Sequence, residues 1–248
     1  DLTLLDAAAT AADVTALCQA ANGPAGRTAA VCVLPLHVAT ARAALGPSAP
    51  EMPRIATTAN FPAGTDCVET ITADIRAALA AGADEIDVVL PWRALLAGDA
   101  ATVTGVLAAA RAATPRPRVL KVILETGALG DPAMIDRAAR LALAAGADFL
   151  KTSTGKGPPG ATPEAVAQMA DAIVDTGSTA GIKVSGGVRT LADVATYAAI
   201  VGARLGPASL APTRLRIGAS ALLGAITAVL GQDTHAGVDA GGTPRPGY

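Results

Sequence analysis

Lysine is rare in this chain and its placement is uneven. Of 19 Lys and Arg residues, 15 are Arg, and the lysines are Lys121, Lys151, Lys156 and Lys183. Arginine stays protonated in proteins and cannot act as an amine nucleophile, whereas a lysine loses its proton when desolvated or crowded by another cation. Three of the lysines lie in short apolar runs of strand character, around Leu120-Lys121-Val122, Leu150-Lys151 and Ile182-Lys183-Val184; Lys156 sits in the loop that follows Lys151. Adjacent parallel strands lie ~4.8 Å apart. Two ammonium groups that close resist double protonation, so one pKa falls. A neutral amine near pH 7 is what attack on a carbonyl requires. A structural Lys–Asp arrangement inside a barrel would use the same residues, and structural ion pairs also perturb pKa values; the spacing leaves both readings open.

Two carboxylates belong with these amines. Asp87, in Glu85-Ile-Asp87-Val-Val, alternates with apolar neighbours, and a buried carboxylate needs a partner. It is a proton carrier beside the amine, a charge balancer, or both. Glu125 ends an apolar run before Thr126-Gly127, where a supporting role is expected. A further constellation is Gly186-Gly187-Val188-Arg189-Thr190, between a strand and a helix, with Gly218-Ala219-Ser220 in a similar place later. Backbone N–H groups free of side chains beside a helix N-terminus suit an anion; tight strand-to-helix turns use glycine as well.

Other chemistries have little material. There are two histidines, His37 and His235, too few for a His-based metal site or a Ser-His-Asp triad, so no metal and no cofactor is expected. His37 reads as a loop or helix-start residue, and Cys32 as a small buried hydrophobe. Three cysteines without a CxxC pair argue against a disulfide framework and for a reducing, cytoplasmic setting. A net charge of −2, a pI near 5.7 and few aromatics (Trp92, Phe61 and Phe149 read as packing residues) argue against nucleic acid as a partner. Mean hydropathy is +0.44, yet the longest stretch without Asp, Glu, Lys or Arg, Ile217–Gln232, is short of the ~20 mostly apolar residues of a span, so no membrane association is expected. No basic segment followed by an apolar one opens the chain, so no signal peptide is expected. Asp1 is not a methionine, which points to natural residues ahead of it.

The elements that must hold these residues follow from the pattern. Strands are expected at Asp1–Leu4, Ala29–Leu34, Arg54–Thr58, Glu85–Leu90, Val119–Glu125, Asp148–Thr152, Gly181–Ser185 and Leu215–Gly218. Several are continuous apolar runs, as in a parallel sheet covered on both faces. Alanine-rich helices separate them, including Cys67–Ala81, Asp131–Ala145, Pro163–Thr176 and Leu191–Ile200, with start signals at Asp131-Pro132 and Thr162-Pro163. The motif Ala-Ala-Gly-Ala-Asp recurs at 80–84 and 144–148, each time ending a helix at glycine and opening a strand. Eight βα units in 248 residues predict a (β/α)8 TIM barrel. A doubly wound open sheet is the alternative, but no GxGxxG follows the first strand. One domain is expected over residues 1–230, with 231–248 a flexible C-terminal tail. In a barrel, Lys151 and Lys183 fall at the catalytic C-terminal rim and the glycine turns at the usual phosphate loops.

These residues, taken together, resemble the deoxyribose-phosphate aldolase family of Schiff-base class I aldolases. The matching segments are 1–5, 30–33, 55–62, 83–89, 120–127, 147–156, 183–190 and 216–220, in family order, and the Ala147-Asp-Phe-Leu-Lys-Thr-Ser-Thr-Gly-Lys156 run is the most specific. The resemblance implies reversible cleavage of 2-deoxy-D-ribose 5-phosphate to D-glyceraldehyde 3-phosphate and acetaldehyde. It implies that Lys151 forms the Schiff base, that Lys183 lowers the Lys151 pKa, and that Asp87 with a bound water shuttles protons. Asp1 and Lys121 match polar residues of the family's active-site network. Gly155, Lys156, Gly186, Gly187, Val188, Arg189, Gly218 and Ser220 would hold the phosphate, and Tyr248 matches a terminal tyrosine that protonates the enamine in some members. Ala221 stands where many members carry a second phosphate-binding serine, and the family's leading helix and part of its first strand are absent. The expected partners are phosphosugar and aldehyde substrates; alanine-rich helices also permit the close subunit packing of a homodimer. Alternatives are another Schiff-base aldolase acting on a ketose phosphate, and a non-catalytic phosphosugar-binding barrel.

Overall fold

In the computed structural model, residues 1–23, 26–157 and 159–236 of the 248-residue chain are described. Eight parallel strands follow one another around the sheet: β1 (Leu2–Leu4), β2 (Ala30–Val33), β3 (Arg54–Ala59), β4 (Glu85–Val89), β5 (Val119–Ile123), β6 (Phe149–Lys151), β7 (Gly181–Ser185) and β8 (Leu215–Gly218). The seam between β8 and β1 closes through a parallel bridge, Leu2 to Ala219, with Thr3 N–H donating to Ala219 O at 3.1 Å. The fold is a (β/α)8 barrel.

Eight longer helices follow the strands: α1 (Ala11–Ala21), α2 (Val38–Leu45), α3 (Val68–Ala80), α4 (Ala100–Ala113), α5 (Pro132–Ala144), α6 (Pro163–Asp175), α7 (Leu191–Leu205) and α8 (Leu222–Ala236). The two predicted helix starts form as the sequence requires: Asp131 Oδ1 accepts from Ala133 N–H and Thr162 Oγ1 from Ala165 N–H, each ahead of a proline. α8 runs past Leu230, where the sequence reading begins its tail, as far as Ala236. A single glycine such as Gly231 costs a helix only about 1 kcal/mol relative to Ala, too little to stop it by itself. Residues 237–248, with Tyr248, lie outside the described residues.

The repeated Ala-Ala-Gly-Ala-Asp motif fastens the N-terminal end of the barrel. Gly82 and Gly146 take φ of +108° and +83°, turning α3 into β4 and α5 into β6. Asp84 then accepts from Ile55 N–H at 2.9 Å, Arg42 at 2.6 Å and Arg118 at 3.1 Å. Asp148 repeats the arrangement with Leu120 N–H, Arg111 and Arg116, each at 2.8 Å. Each aspartate therefore clips its own strand to the strand before it.

Two environments separate across the sheet. Strand residues that face the helices, such as Ile86, Val88, Leu120, Val122, Leu150, Ile182 and Val184, join one large apolar core. The barrel lumen differs. On β2 and β3 it holds small residues, Ala30, Cys32 and Ala56. On β4 to β8 it holds Glu85, Asp87, Lys121, Lys151, Lys183 and Arg216, all buried. This departs from the usual branched aliphatic filling of such barrels. The small side chains leave room, and the charges are a cost that must be met by pairing.

Candidate active site

Register brings the lysines to one place. Lys151 pairs in register with Lys183, Lys183 with Arg216, and Asp87 with Lys121. Strand alternation turns them all into the lumen. Lys151 Nζ and Lys183 Nζ both donate to Asp87 Oδ2, at 2.8 and 2.7 Å, and Lys121 Nζ donates to Asp87 Oδ1 at 2.7 Å. Lys121 also contacts Glu85 Oε2 at 2.6 Å, and Lys183 contacts Asp1 Oδ2 at 2.6 Å. The two lysines that the sequence places on neighbouring strands thus converge on a single oxygen.

Their proton equilibria diverge. Burial is the main force on Lys151 and holds its pKa below the ordinary lysine value; Asp87 opposes this and Lys183 reinforces it. The crowding expected from the sequence is present, but desolvation is the larger cause. Burial also disfavours the Lys183 ammonium, yet Asp87, assisted by Glu85, outweighs it and the pKa rises. Asp87 would be raised by burial, but Lys121, Lys151 and Lys183 together hold it well below the usual carboxylate range. Under these conditions Lys151 is the amine favoured to shed its proton, while Lys183 keeps one.

Three loops converge at the C-terminal end of the neighbouring strands. Gly155 and Lys156 follow β6, Gly186 to Arg189 follow β7, and Gly218 to Ser220 follow β8. Gly155 and Gly186 take φ of +77° and +89°, and a Cβ on Gly155 would sit 3.9 Å from Gly186 Cα, so these loops touch. A Cβ on Gly218 would come within 3.2 Å of Lys183 Cε; the glycine keeps that space open. Gly155, Lys156, Gly187, Arg189 and Ser220 are exposed, while Val188 is buried. One of these loops is partly occupied from within the chain. At the N-terminus of α7, Asp193 closes a capping box and accepts from Arg189 N–H at 3.0 Å and Thr190 N–H at 2.9 Å. Because that carboxylate takes the Arg189 and Thr190 N–H groups, the anion donors left at this turn are the N–H groups of the preceding glycines and of the first helical residues.

Glu125 is built into the same rim. It stands in the left-handed region at φ +55°, and β5 stops at Ile123, two residues short of the strand end at Glu125 expected from the sequence. Its buried carboxylate faces Thr154 N–H, with both oxygens at 3.3 Å, and so steadies the loop that follows Lys151. Cys32 is buried as expected, but its Sγ lies 3.9 Å from Asp87 Oδ2, which makes it part of the site wall. His37 is buried in a short 3-10 turn, Pro35–His37, after β2. Arg216 and Glu85 carry no role in the sequence reading. Arg216 Nη1 donates to Asp1 Oδ1 at 2.7 Å and Nη2 to Glu85 Oε1 at 3.2 Å, with the guanidinium 5.5 Å from the Phe149 ring centre. The signal for Glu85 was its spacing of two from Asp87, which puts both on one strand face; for Arg216 it was a cation inside an apolar strand.

The chain is similar to known proteins along nearly its whole length. Residues 1–227 match the DeoC/LacD family aldolase pattern. A curated deoxyribose-phosphate aldolase from Agrobacterium fabrum is 45% identical over 230 residues, covering 93% of this chain and 88% of the relative. A Toxoplasma gondii crystal structure, solved in the apo form as a candidate deoxyribose-phosphate aldolase, is 28% identical with a TM-score of 0.83, covering 93% of this chain and 92% of the other. The tetrameric deoxyribose phosphate aldolase from Aeropyrum pernix is 26% identical with a TM-score of 0.69, covering 95% and 89%.

Proposed function

Since the chain belongs to the DeoC/LacD aldolase family and acts as a deoxyribose-phosphate aldolase, a lyase on a small phosphosugar, we propose that it works through a Schiff base on Lys151. The observation that carries this is the pair of buried amines, Lys151 and Lys183, on one oxygen of Asp87. Of the two, Lys151 is the one whose pKa is lowered overall, chiefly by burial. Its neutral amine attacks C1 of the open-chain 2-deoxy-D-ribose 5-phosphate. Asp87, with a bound water, takes and returns the protons by which the carbinolamine loses water to an iminium. The C2–C3 bond then breaks. Its electron pair flows into the iminium to give an enamine, the C3 hydroxyl loses its proton, and D-glyceraldehyde 3-phosphate leaves. Protonation of the enamine at C2 and hydrolysis release acetaldehyde and restore Lys151. Covalent catalysis divides one hard step into easier ones.

Lys183 stays protonated and supports the low Lys151 pKa, while Asp1 and Lys121 complete the polar floor. The phosphate would rest on Gly155, Lys156, Gly186, Gly187 and Val188, with Gly218 and Ser220 from the next loop; Arg189 would contribute through its side chain. Tyr248 would act as the proton donor to the enamine. We also infer a cytoplasmic location and a homodimer. The location is supported by three unpaired cysteines, and the assembly by alanine-rich helices; no helix among the described residues is long and apolar enough to cross a membrane. Sedimentation would test the assembly, since a tetramer, as in the Aeropyrum pernix enzyme, would overturn the dimer.

Cleavage assays on deoxyribose 5-phosphate and on a ketose phosphate, with wild type and Lys151→Leu, test the mechanism. The expected result is cleavage of the deoxy sugar alone, with the variant at least about a thousandfold slower. Preference for the ketose, or phosphosugar binding without turnover, would favour the alternatives. A Lys151→Leu protein with full activity would remove the Schiff base from that residue.

A further inference from the structure

The lumen charges are ordered as well as paired. Starting from Arg216, contacts run to Asp1 (2.7 Å), Lys183 (2.6 Å), Asp87 (2.7 Å), Lys121 (2.7 Å), Glu85 (2.6 Å) and back to Arg216 (3.2 Å). Cation and carboxylate alternate all the way round, three of each, and the ring is formally neutral. Every carboxylate in it touches at least two ring cations and every cation at least two carboxylates; Lys121 also reaches Asp1 Oδ2 across the ring at 3.9 Å. Lys151 stands outside the ring. Among the described residues its one ionic contact is Asp87 Oδ2 at 2.8 Å, an oxygen that Lys183 already occupies.

We propose that Glu85 and Arg216 are positioning residues for the aldolase chemistry: they close a neutral ring of alternating charges beneath Asp87, which leaves Lys151, among the described residues, as the lumen lysine with no carboxylate of its own. A buried charge is costly unless paired. A protonated Lys151 gives the lumen one uncompensated positive charge; a neutral Lys151 gives none. Without Arg216 that surplus would vanish, and Lys151 could keep its proton. Without Glu85 the surplus would grow.

The groups facing Lys151 from every strand are few. β4 supplies Asp87 and Glu85, β5 supplies Lys121, β7 supplies Lys183, β8 supplies Arg216, and the residue before β1 is Asp1. β2 adds the Cys32 thiol and β3 only the hydroxyl of Thr58. The Asp1 backbone nitrogen is turned away to Ile217 O, to which it donates at 2.8 Å. Neither Glu85 nor Arg216 contacts Lys151 directly, so any influence on its proton passes through the ring.

The inference rests on imine formation at Lys151, and the test separates the two. Wild type, Glu85→Gln, Arg216→Met, Arg216→Lys and the double variant Glu85→Gln/Arg216→Met are incubated with acetaldehyde and cyanoborohydride across a pH series. The rate of ethyl adduct formation is read by mass with peptide mapping. Imine formation needs the neutral amine, so the rate rises with pH through the Lys151 pKa. Arg216→Met should move that rise to higher pH by about one unit and Glu85→Gln to lower pH by a similar amount, as expected for one charge a few ångströms beyond a contact pair. Arg216→Lys and the double variant, which restore formal neutrality, should lie close to wild type. The double variant also covers the case in which a single variant fails to fold. Shifts of one sign in both single variants, or weaker labelling with no shift, would make the ring a purely structural feature and overturn the proposal. If wild type were not labelled at Lys151 at all, the Schiff-base assignment itself would fall.

Discussion

Asp87 receives three ammonium groups, and its removal would strand all three inside the barrel. Asp87→Asn should therefore cost about 3–5 kcal/mol in urea unfolding, the range for breaking a buried ion pair by removing one partner. A loss below about 1 kcal/mol would mean that the lysines find other partners. The amines themselves titrate in opposite directions. Lys151 has a depressed folded pKa, so the stability it contributes is present above the ordinary lysine value and is lost as pH falls through its folded pKa. Lys183 has a raised one, so its contribution is present below the ordinary value and is lost as pH rises through the folded pKa. In catalysis the Lys151 sign governs: kcat/KM should rise with pH through its folded pKa, below the ordinary lysine value. Lys183→Leu removes one of the forces that lower that pKa, so the acid limb of the kcat/KM profile should move to higher pH. A limb that stays in place would assign the depression to burial alone. At this scale the sequence was readable where a residue type was out of keeping with its setting, as with lysines in apolar strands. Arg216 also stands in an apolar strand, but arginine is the chain's common cation, and contacts were needed to give that signal a role.

The strand-to-helix connections set the rim, and their geometry is tight. A Cβ on Gly160, ahead of α6, would lie 2.3 Å from Gly186 O, so the loops after β6 and β7 can approach only because that position is glycine. Gly160→Ala should push the Gly186-Gly187 turn away. It should raise KM for deoxyribose 5-phosphate about tenfold while leaving kinetics on unphosphorylated deoxyribose nearly unchanged, if those glycines hold the phosphate. Equal losses on both substrates would place the effect on the amine instead. At the opposite end, Asp148→Ala would leave Leu120 N–H without its carboxylate and release Arg111. The expected cost is about 2 kcal/mol in urea unfolding with little change in KM. The two repeated Ala-Ala-Gly-Ala-Asp segments announced these turns in the sequence, and the Asp-Pro and Thr-Pro pairs announced two helix starts. The end of β5 was harder. Leu124 and Glu125 look like further strand residues, and nothing local signals that Glu125 adopts a left-handed backbone to meet Thr154.

The barrel as a whole places its charges inside and its aliphatic core outside the strands, and this couples fold to pH. Asp84, Glu85 and Asp87 all have folded pKa values below their ordinary ones: for each, burial alone would raise the value and paired cations or backbone N–H donors outweigh it. Their stabilisation is present above the unfolded carboxylate values and is lost as pH falls through the folded ones. The thermal midpoint should therefore hold steady near neutrality and drop as the medium becomes more acidic than about pH 4.5; a midpoint unchanged down to pH 3 would contradict the pairing. The eightfold alternation of strands and helices was visible in the sequence because each unit repeats a length and a pattern. The closed ring of charges was not, because it depends on register between strands far apart in the chain, such as β4 and β8. The most direct measurement is reductive trapping with acetaldehyde and borohydride, followed by intact mass and peptide mapping. The expected product carries one ethyl group per chain, on the peptide containing Lys151. An adduct on Lys183, on Lys121 or on Lys156, or no adduct under conditions that sustain turnover, would contradict the assignment of the uncharged amine.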